Sequence, residues 1–96
     1  MSAAMDIVIC GAGEVGSHTA EELAGAGHSI RIIDLQVERL RALEETLDIA
    51  TLVGNCSDAR VLVEAGAEDA DLVLAATDND EVNLICASIA KGLGAR

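Results

Sequence analysis

The sequence predicts an α/β fold built on a parallel β-sheet, and three observations support this prediction. Short, apolar, β-branched segments alternate along the chain with segments whose apolar residues recur at helical spacing. The loops between them are short, and a Gly-x-Gly-x-x-Gly pattern lies between the first strand and the first helix. Such alternation favours parallel strands joined by right-handed crossovers. We therefore predict a Rossmann-like doubly wound sheet with strand order 3-2-1-4.

The first half of the chain is predicted to contain two strand–helix units. Asp6 to Cys10 is apolar, β-branched and followed by glycine, which is typical of a buried parallel strand. Glu14 to Ala26 has helical spacing and ends at Gly27, a residue suited to a C-terminal cap. Ser29 to Asp34 is predicted as the second strand, and Gln36 to Leu47 as an amphipathic helix.

The second half continues the same pattern. Asp48 to Val53 is predicted as the third strand, and Ser57 or Asp58 can cap a short helix that runs to Glu64. Asp71 to Ala75 is predicted as the fourth strand. The chain has no Phe, Tyr or Trp, so its core must be built from Ile, Leu, Val and Ala.

The last predicted helix runs from Asn79 to about Lys91. A complete doubly wound domain would add a fifth and a sixth strand, so we expect the single domain, residues 1–96, to be incomplete at its C-terminal end. The fourth strand would then be an edge strand, and the last helix would expose an apolar face. We expect a homodimer or higher homo-oligomer through that face, which carries Val82, Ile85, Cys86 and Ile89, and through the edge of the fourth strand. The alternative is a marginal monomer kept soluble by its net charge of −11.

Composition and cysteine spacing argue against nucleic acid as a partner and against a metal site or a disulfide framework. Seventeen acidic and six basic residues give a formal net charge of −11, which disfavours nucleic acid. The acids form either an ordinary solvated surface or an adaptation to high intracellular salt. The three cysteines lack the spacing of a metal site or a disulfide framework. No apolar stretch of about 18 residues and no basic leader are present, so we expect a cytoplasmic location.

The glycine pattern follows a strand and opens a helix, as a phosphate-binding loop does in such folds. Gly11 would permit the tight turn, Gly13 would let a pyrophosphate approach the backbone, and Gly16 would let the helix pack closely. The amides of Glu14 and Val15 would face the phosphates at the positive end of the helix dipole. We therefore assign cofactor binding to Gly11, Ala12, Gly13, Glu14, Val15 and Gly16.

Asp34 ends the second strand, where folds of this type place an acid that binds the ribose hydroxyls. Its carboxylate would accept hydrogen bonds from the hydroxyls of NAD(H) and would repel the 2′-phosphate of NADP. The alternative is that Asp34 is only an exposed strand-end acid or a cap for the next helix.

Two further loops follow strands at the same edge of the sheet. Asn55 or Cys56, after the third strand, could contact the adenine, and for Cys56 we favour a small, inert lining residue over any thiol chemistry. Thr77 and Asp78, after the fourth strand, would lie beneath the second half of a dinucleotide.

Hydride transfer needs a positioned acid or base near the substrate, and the sequence offers none. His18 lies on the first helix, His28 enters the second strand at the opposite end of the sheet, and Lys91 is at the far end of the last helix. We assign no catalytic residue and expect that the protein is not an enzyme.

Two runs of the sequence carry a resemblance to a known family. They are IVICGAGEVGSHTAEELAGAGHSIRIIDLQVERLRAL and GNCSDARVLVEAGAEDADLVLAATDNDEVNLICASIAKGLGA, which together cover nearly the whole chain. They resemble the nucleotide-binding domain of Trk-type potassium-uptake regulators, also called the KTN or RCK domain. The second run is the more specific, because many dehydrogenases share the glycine pattern, whereas EAGAEDADLVLAATDNDEVNL is close to this family's own signature.

The resemblance implies a regulatory subunit at the inner face of the cell membrane that senses a nucleotide and controls a membrane potassium transporter subunit. It implies that Gly11 to Val15 hold phosphates, that Asp34 holds the ribose, and that Thr77 and Asp78 line the far half of the site. Members of the family bind NAD(H) or ADP/ATP, and the negative charge of Glu14 favours NAD(H) over a triphosphate. Three alternatives remain: an ADP/ATP-sensing channel regulator, the cofactor-binding half of an NAD-dependent dehydrogenase, and a purely structural oligomerisation module.

Overall fold

The computed structural model of the protein describes residues 4–76. Four strands and three helices alternate in this part of the chain. Their bounds are β1 (Asp6–Cys10), α1 (Glu14–Gly25), β2 (Ser29–Asp34), α2 (Val37–Thr46), β3 (Ala50–Val53), α3 (Ala59–Glu64) and β4 (Leu72–Ala75). The predicted last helix, with the face proposed for oligomerisation, lies outside the described residues.

The four strands form one parallel sheet in the order β3-β2-β1-β4, which confirms the predicted topology. Strand β1 has a neighbour on each side, and its last residue, Cys10, lies opposite Ile33 on β2 and opposite Ala75 on β4. On the outer side of β2, Asp34 lies opposite Val53. Because all strands run the same way, the glycine loop, Asp34 and the loop after β3 meet at the same edge of the sheet.

The core has two layers, one on each face of the sheet, because side chains alternate along each strand. The isoleucines of one face pack against α1 and α2, and the residues of the other face pack against α3. The first layer contains Ile7, Ile9, Ile30, Ile32, Ala20 and Leu40, and the second contains Val8, Cys10, Ile33, Cys56 and Leu62. The aliphatic core is therefore confirmed in the described residues, and Cys10 is buried within it.

Two helices end in the same glycine-dependent motif. After α1, the Gly27 amide donates to Ala24 O at 3.0 Å and the His28 amide donates to Leu23 O at 3.2 Å, while Gly27 has a φ of 92°. This is a Schellman arrangement, in which glycine adopts the left-handed conformation without steric cost. Gly66 ends α3 in the same way with a φ of 83°.

Some predicted boundaries were wrong by one or two residues. The first helix ends at Gly25 because Ala26 is already its C-cap, and α2 is one residue shorter than predicted at each end. Strand β3 begins at Ala50 rather than Asp48, since Ala50 is the first residue that pairs with β2, opposite Arg31. Strand β4 likewise begins at Leu72 rather than Asp71.

Candidate functional site

The glycine loop turns sharply as it leaves β1. Gly11 has a φ of 108°, a conformation that L side chains rarely adopt, and its amide donates to Ile33 O at 2.7 Å. The turn at Gly11 is therefore tied to the neighbouring strand β2. This is the tight turn that the pattern predicted for the first glycine.

Gly16 allows the first turn of α1 to lie directly against the loop. A Cβ atom at this position would collide with the carbonyl oxygen of Gly11, and Gly16 is buried. Close packing at the third glycine, as predicted, is therefore a steric requirement. Gly13 differs from both, because its φ of −74° and ψ of −164° are extended and accessible to other residues.

The open end of α1 presents its first backbone amides at the edge of the sheet. Gly13 is the N-cap and supplies no side-chain cap, while Glu14 and Val15 form the start of the helix and are exposed. The first four amides of a helix have no intrahelical acceptor, so they are available to an anion. Glu14 contributes an acidic group to the same turn.

The half-buried carboxylate of Asp34 lies beside this loop and accepts two backbone hydrogen bonds. Its Oδ1 accepts from the Ala12 amide at 3.0 Å, and its Oδ2 accepts from the Gln36 amide at 2.8 Å. Gln36 is the N-cap of α2 and makes no side-chain cap of its own, so Asp34 also organises the start of that helix. Each carboxylate oxygen can accept more than one hydrogen bond, which leaves capacity for an external donor.

The loop after β3 presents Asn55 but not the Cys56 thiol. Asn55 is exposed, and its Oδ1 accepts from the Ser57 amide at 2.9 Å and from the Ser57 hydroxyl at 2.7 Å. Cys56 is 5% exposed, belongs to the core, and lies with its Sγ 3.9 Å from Ile33 O. This burial favours the packing role for the Cys56 side chain, and Asn55 remains the candidate for an adenine contact.

Thr77 and Asp78 lie outside the described residues. The last described residue, Ala76, donates its amide to Cys10 O at 2.7 Å, which keeps the chain beside β1 up to that point. The residue that precedes Thr77 and Asp78 therefore lies next to the end of β1, where the glycine loop begins.

Two exposed apolar residues near Asp34 were missed at the sequence level. Leu35 follows Asp34 and is 67% exposed, and Val53, which pairs with Asp34 in the sheet, is 52% exposed. The sequence does carry one indication of Leu35, because an apolar residue there directly follows the acid that ends the second predicted strand. These two side chains place exposed apolar surface beside Asp34.

Both histidines lie where the sequence predicted. His28 accepts a hydrogen bond on Nδ1 from the Met5 amide at 3.0 Å, at the end of the sheet opposite the glycine loop. His18 is exposed on α1, and its Nε2 lies 3.8 Å from the Glu22 carboxylate. In residues 4–76, the polar partners of the two imidazoles are therefore Met5 and Glu22, which lie outside the loop between β1 and α1.

Asp58 is the N-cap of α3 and is paired with Arg60. Its Oδ1 accepts from the Arg60 amide at 2.9 Å, and its Oδ2 lies 3.2 Å from the Arg60 guanidinium. The side-chain hydrogen bond from Arg60 and, next, its backbone hydrogen bond lower the pKa of Asp58. The ion pair is exposed and belongs to the helix cap.

Within residues 4–76, no cluster of three His, Cys, Asp or Glu side chains could hold a metal ion. None of the helices described there is long and apolar enough to cross a membrane.

A glycine loop that opens α1, beside an acid at the end of β2 in a β3-β2-β1-β4 sheet, defines a Rossmann-like domain of the nucleotide-binding type. More specifically, the chain belongs to the TrkA-N domain family, whose model matches residues 7–96.

Similar proteins extend well beyond the length of this chain. It is 46% identical over 89 residues to the Trk system potassium uptake protein TrkA of Halomonas elongata, which covers 93% of this chain and 20% of that protein. It is 48% identical over 92 residues to a TrkA homolog of Archaeoglobus fulgidus, covering 96% of this chain and 21% of the homolog. The chain therefore spans about a fifth of the length of these relatives.

A solved structure has the same fold. The Kef CTD of Shewanella denitrificans, in an AMP-bound form, superposes with a TM-score of 0.76 over 91% of this chain and 52% of its own. Its sequence identity is 24%, so the likeness concerns the fold.

Proposed function

We propose that this domain binds NAD(H) and thereby regulates a membrane potassium-uptake system. The observation that carries the proposal is the position of Asp34, whose carboxylate lies within hydrogen-bonding distance of the glycine loop at Ala12. In this arrangement, the phosphates of a single ligand lie at the amides of α1 while its ribose lies at Asp34. The site residues are Gly11, Ala12, Gly13, Glu14, Val15, Gly16, Asp34 and Asn55, with Thr77 and Asp78 completing the lining, whereas Cys56 is left to the core because its side chain is buried.

The charges around the loop favour NAD(H) over other nucleotides. The Asp34 carboxylate repels the 2′-phosphate of NADP(H), and Glu14 adds negative charge in the first turn of α1. A triphosphate brings more negative charge to this turn than the pyrophosphate diester of NAD(H) does. We therefore rank NADH and NAD above NADPH and ATP.

Regulation is proposed rather than catalysis. Hydride transfer requires an acid or base near the substrate. His28 instead accepts a hydrogen bond from the Met5 amide at the opposite end of the sheet, and His18 lies 3.8 Å from the Glu22 carboxylate on α1. The similar proteins of Halomonas elongata and Archaeoglobus fulgidus carry the name of a potassium uptake system. We propose that the partner of this protein is a membrane potassium transporter subunit and that the domain acts at the inner face of the membrane as a homodimer or higher homo-oligomer.

Titration of the 96-residue chain with NADH, NAD, NADPH, ADP, ATP and AMP tests the ligand assignment. A ligand at 100 times its dissociation constant adds about 2.7 kcal/mol to stability, which a thermal-shift measurement detects readily. We expect NADH or NAD to give the largest shift. An equal shift with NADPH contradicts the role given to Asp34, and the absence of any shift contradicts the site.

A matched pair of variants separates the site from general charge effects. Asp34→Asn removes the charge beside the glycine loop, whereas Asp48→Asn removes a charge just before β3, at the opposite end of the sheet. We expect only Asp34→Asn to weaken NADH binding and to reduce the preference for NADH over NADPH. Equal effects of the two variants contradict a specific ribose contact.

An adenine mononucleotide sensor is the second candidate. It is favoured by the AMP bound to the Kef CTD of Shewanella denitrificans, a protein with the same fold. AMP would occupy the phosphate loop and Asp34 without needing the far half of the site. A larger thermal shift with AMP or ADP than with NADH would favour this candidate.

A further inference from the structure

The backbone of Ala12, in the middle of the glycine loop, is held from two sides. Its amide donates to Asp34 Oδ1 at 3.0 Å, and its carbonyl oxygen accepts from the Ser17 hydroxyl at 2.8 Å. Ser17 is half-buried and lies one turn into α1, behind the loop. The loop is therefore fixed to β2 on one side and to its own helix on the other.

The bond from Ser17 determines where the next amide points. The Ala12 carbonyl and the Gly13 amide belong to one peptide unit, and no cis peptide bond occurs in residues 4–76. In a planar trans unit the C=O and N–H groups point in opposite directions. Since the carbonyl points towards Ser17, the Gly13 amide points away from the helix, and it finds no acceptor in the described part of the chain.

Ser17 fixes the following peptide unit as well. Its backbone amide donates to Gly13 O at 2.8 Å, so the Glu14 amide of that unit also points away from the helix. One residue thus orients two consecutive amides, the first through its side chain and the second through its backbone. Only the first depends on the hydroxyl, because any residue at position 17 supplies the backbone amide.

We propose that Ser17 is a positioning residue for the nucleotide phosphate, whose hydroxyl aims the Gly13 amide at the anion. This inference rests on the proposed function, since it concerns the same loop. Without the hydroxyl, the Ala12–Gly13 peptide unit can rotate, and glycine at position 13 offers little resistance to that rotation. The hydroxyl lowers the cost of ordering the loop when a phosphate binds.

Thr19 provides a matched control on the same helix. Its hydroxyl donates to Val15 O at 2.8 Å, the same length as the bond from Ser17, but its acceptor lies within α1 rather than in the loop. Ser17→Ala and Thr19→Ala therefore each remove one hydroxyl that bonds to a backbone carbonyl. Ser17→Thr keeps the hydroxyl at position 17 and serves as the conservative variant.

Calorimetric titration of the 96-residue chain with NADH and AMP tests the proposal. We expect Ser17→Ala to weaken both ligands by about three- to tenfold, the loss of one hydrogen bond, while Thr19→Ala stays within twofold and Ser17→Thr recovers binding. Equal losses for Ser17→Ala and Thr19→Ala, or no loss for Ser17→Ala while the unmodified chain binds, overturn it. If the unmodified chain binds neither ligand, the proposed function fails as well.

The amide resonance of Gly13 gives a readout that a purely structural role would not change. In the unmodified chain, we expect AMP to shift this resonance downfield as the amide bonds to phosphate. In Ser17→Ala, we expect that shift to be lost while the resonances of the sheet keep their positions. A full downfield shift in Ser17→Ala shows that the amide is aimed without the hydroxyl and overturns the proposal.

Discussion

The carboxylate of Asp34 accepts a hydrogen bond from the backbone amide of Ala12 at 3.0 Å, which joins the end of β2 to the glycine loop. The bond is possible because β1 and β2 are adjacent and parallel, so both strands end at the same edge of the sheet. The acid expected to bind a ribose therefore also shapes the loop expected to bind phosphates. The ligand role proposed for Asp34 is compatible with its role as a structural acceptor, since the carboxylate has acceptor capacity for both.

Replacing Asp34 should therefore reduce stability as well as binding. Asp34→Ala leaves the partly buried Ala12 amide without an acceptor, which we expect to lower the free energy of unfolding by about 1–3 kcal/mol. Asp34→Asn keeps one oxygen acceptor and should lie between Asp34→Ala and the unmodified chain. Urea unfolding measures the three variants, with Asp48→Asn as the control. An Asp34→Ala variant as stable as the unmodified chain would show that the Ala12 bond contributes nothing.

The strands β1 and β2 match their predicted bounds because each is a run of β-branched residues with a clear stop. Glycine follows Cys10, and the polar Asp34 ends the second run. The start of β3 could not be predicted in the same way. The strand begins at Ala50, because Ala50 is the first residue that pairs with β2, opposite Arg31. The preceding residue, Ile49, is apolar and β-branched like a strand residue, so the sequence alone does not show that it is unpaired.

The candidate site could be predicted only in part. The glycine spacing correctly predicted the turn at Gly11 and the close packing at Gly16, since both depend on local geometry. The bonds of Ala12 to Asp34 and to Ser17 depend on how three elements meet in space, and no pattern in the sequence encodes them. The ligand contacts of Asn55, Thr77 and Asp78 remain predictions.

Two glycines of α1 should respond in opposite ways to substitution by alanine. At Gly16 the added Cβ meets the Gly11 carbonyl oxygen, whereas at Gly25 nothing lies within 4 Å. We expect Gly16→Ala to cost about 1–3 kcal/mol of stability through overpacking. Gly25→Ala should add about 0.4–1 kcal/mol, because it restricts the unfolded chain.

Thermal and urea unfolding of both alanine variants check this pair. Gly16→Ala should also weaken NADH binding, because relief of the collision must displace the loop or the helix. Equal stabilities of the two variants would contradict the close contact between Gly16 and Gly11.

The acidic surface should make stability depend on salt. With a formal net charge of −11, repulsion between carboxylates destabilises the folded chain in dilute buffer and is screened as ionic strength rises. We expect the urea midpoint to increase from dilute buffer to molar KCl. A chain that keeps its midpoint on dialysis from molar KCl into dilute buffer would contradict this expectation.

A charge-reduced variant tests the cause of the salt dependence. Glu21, Glu45 and Glu68 are exposed, and replacing all three with Gln removes charge without changing the core. We expect this variant to have a higher midpoint in dilute buffer and a weaker dependence on KCl. An unchanged salt dependence would assign the effect to something other than repulsion among surface acids.

Asp58 should make the stability of α3 depend on pH in the acid range. The side-chain hydrogen bond from Arg60, followed by its backbone hydrogen bond, lowers the pKa of Asp58 in the folded chain. A carboxyl whose folded pKa lies below its unfolded value stabilises the fold above the unfolded pKa, about 3.9. That stabilisation is lost as the pH falls through the folded pKa.

Asp58→Asn keeps an oxygen at the N-cap but does not ionise, so it should lack this contribution. The difference in unfolding free energy between the unmodified chain and Asp58→Asn, measured from pH 6 to pH 2, should therefore favour the unmodified chain most at the higher pH. Asp58→Ala, which loses the cap, should be the least stable of the three near neutrality. A difference that stays constant over the whole range would show that the ionised carboxylate adds nothing to the cap.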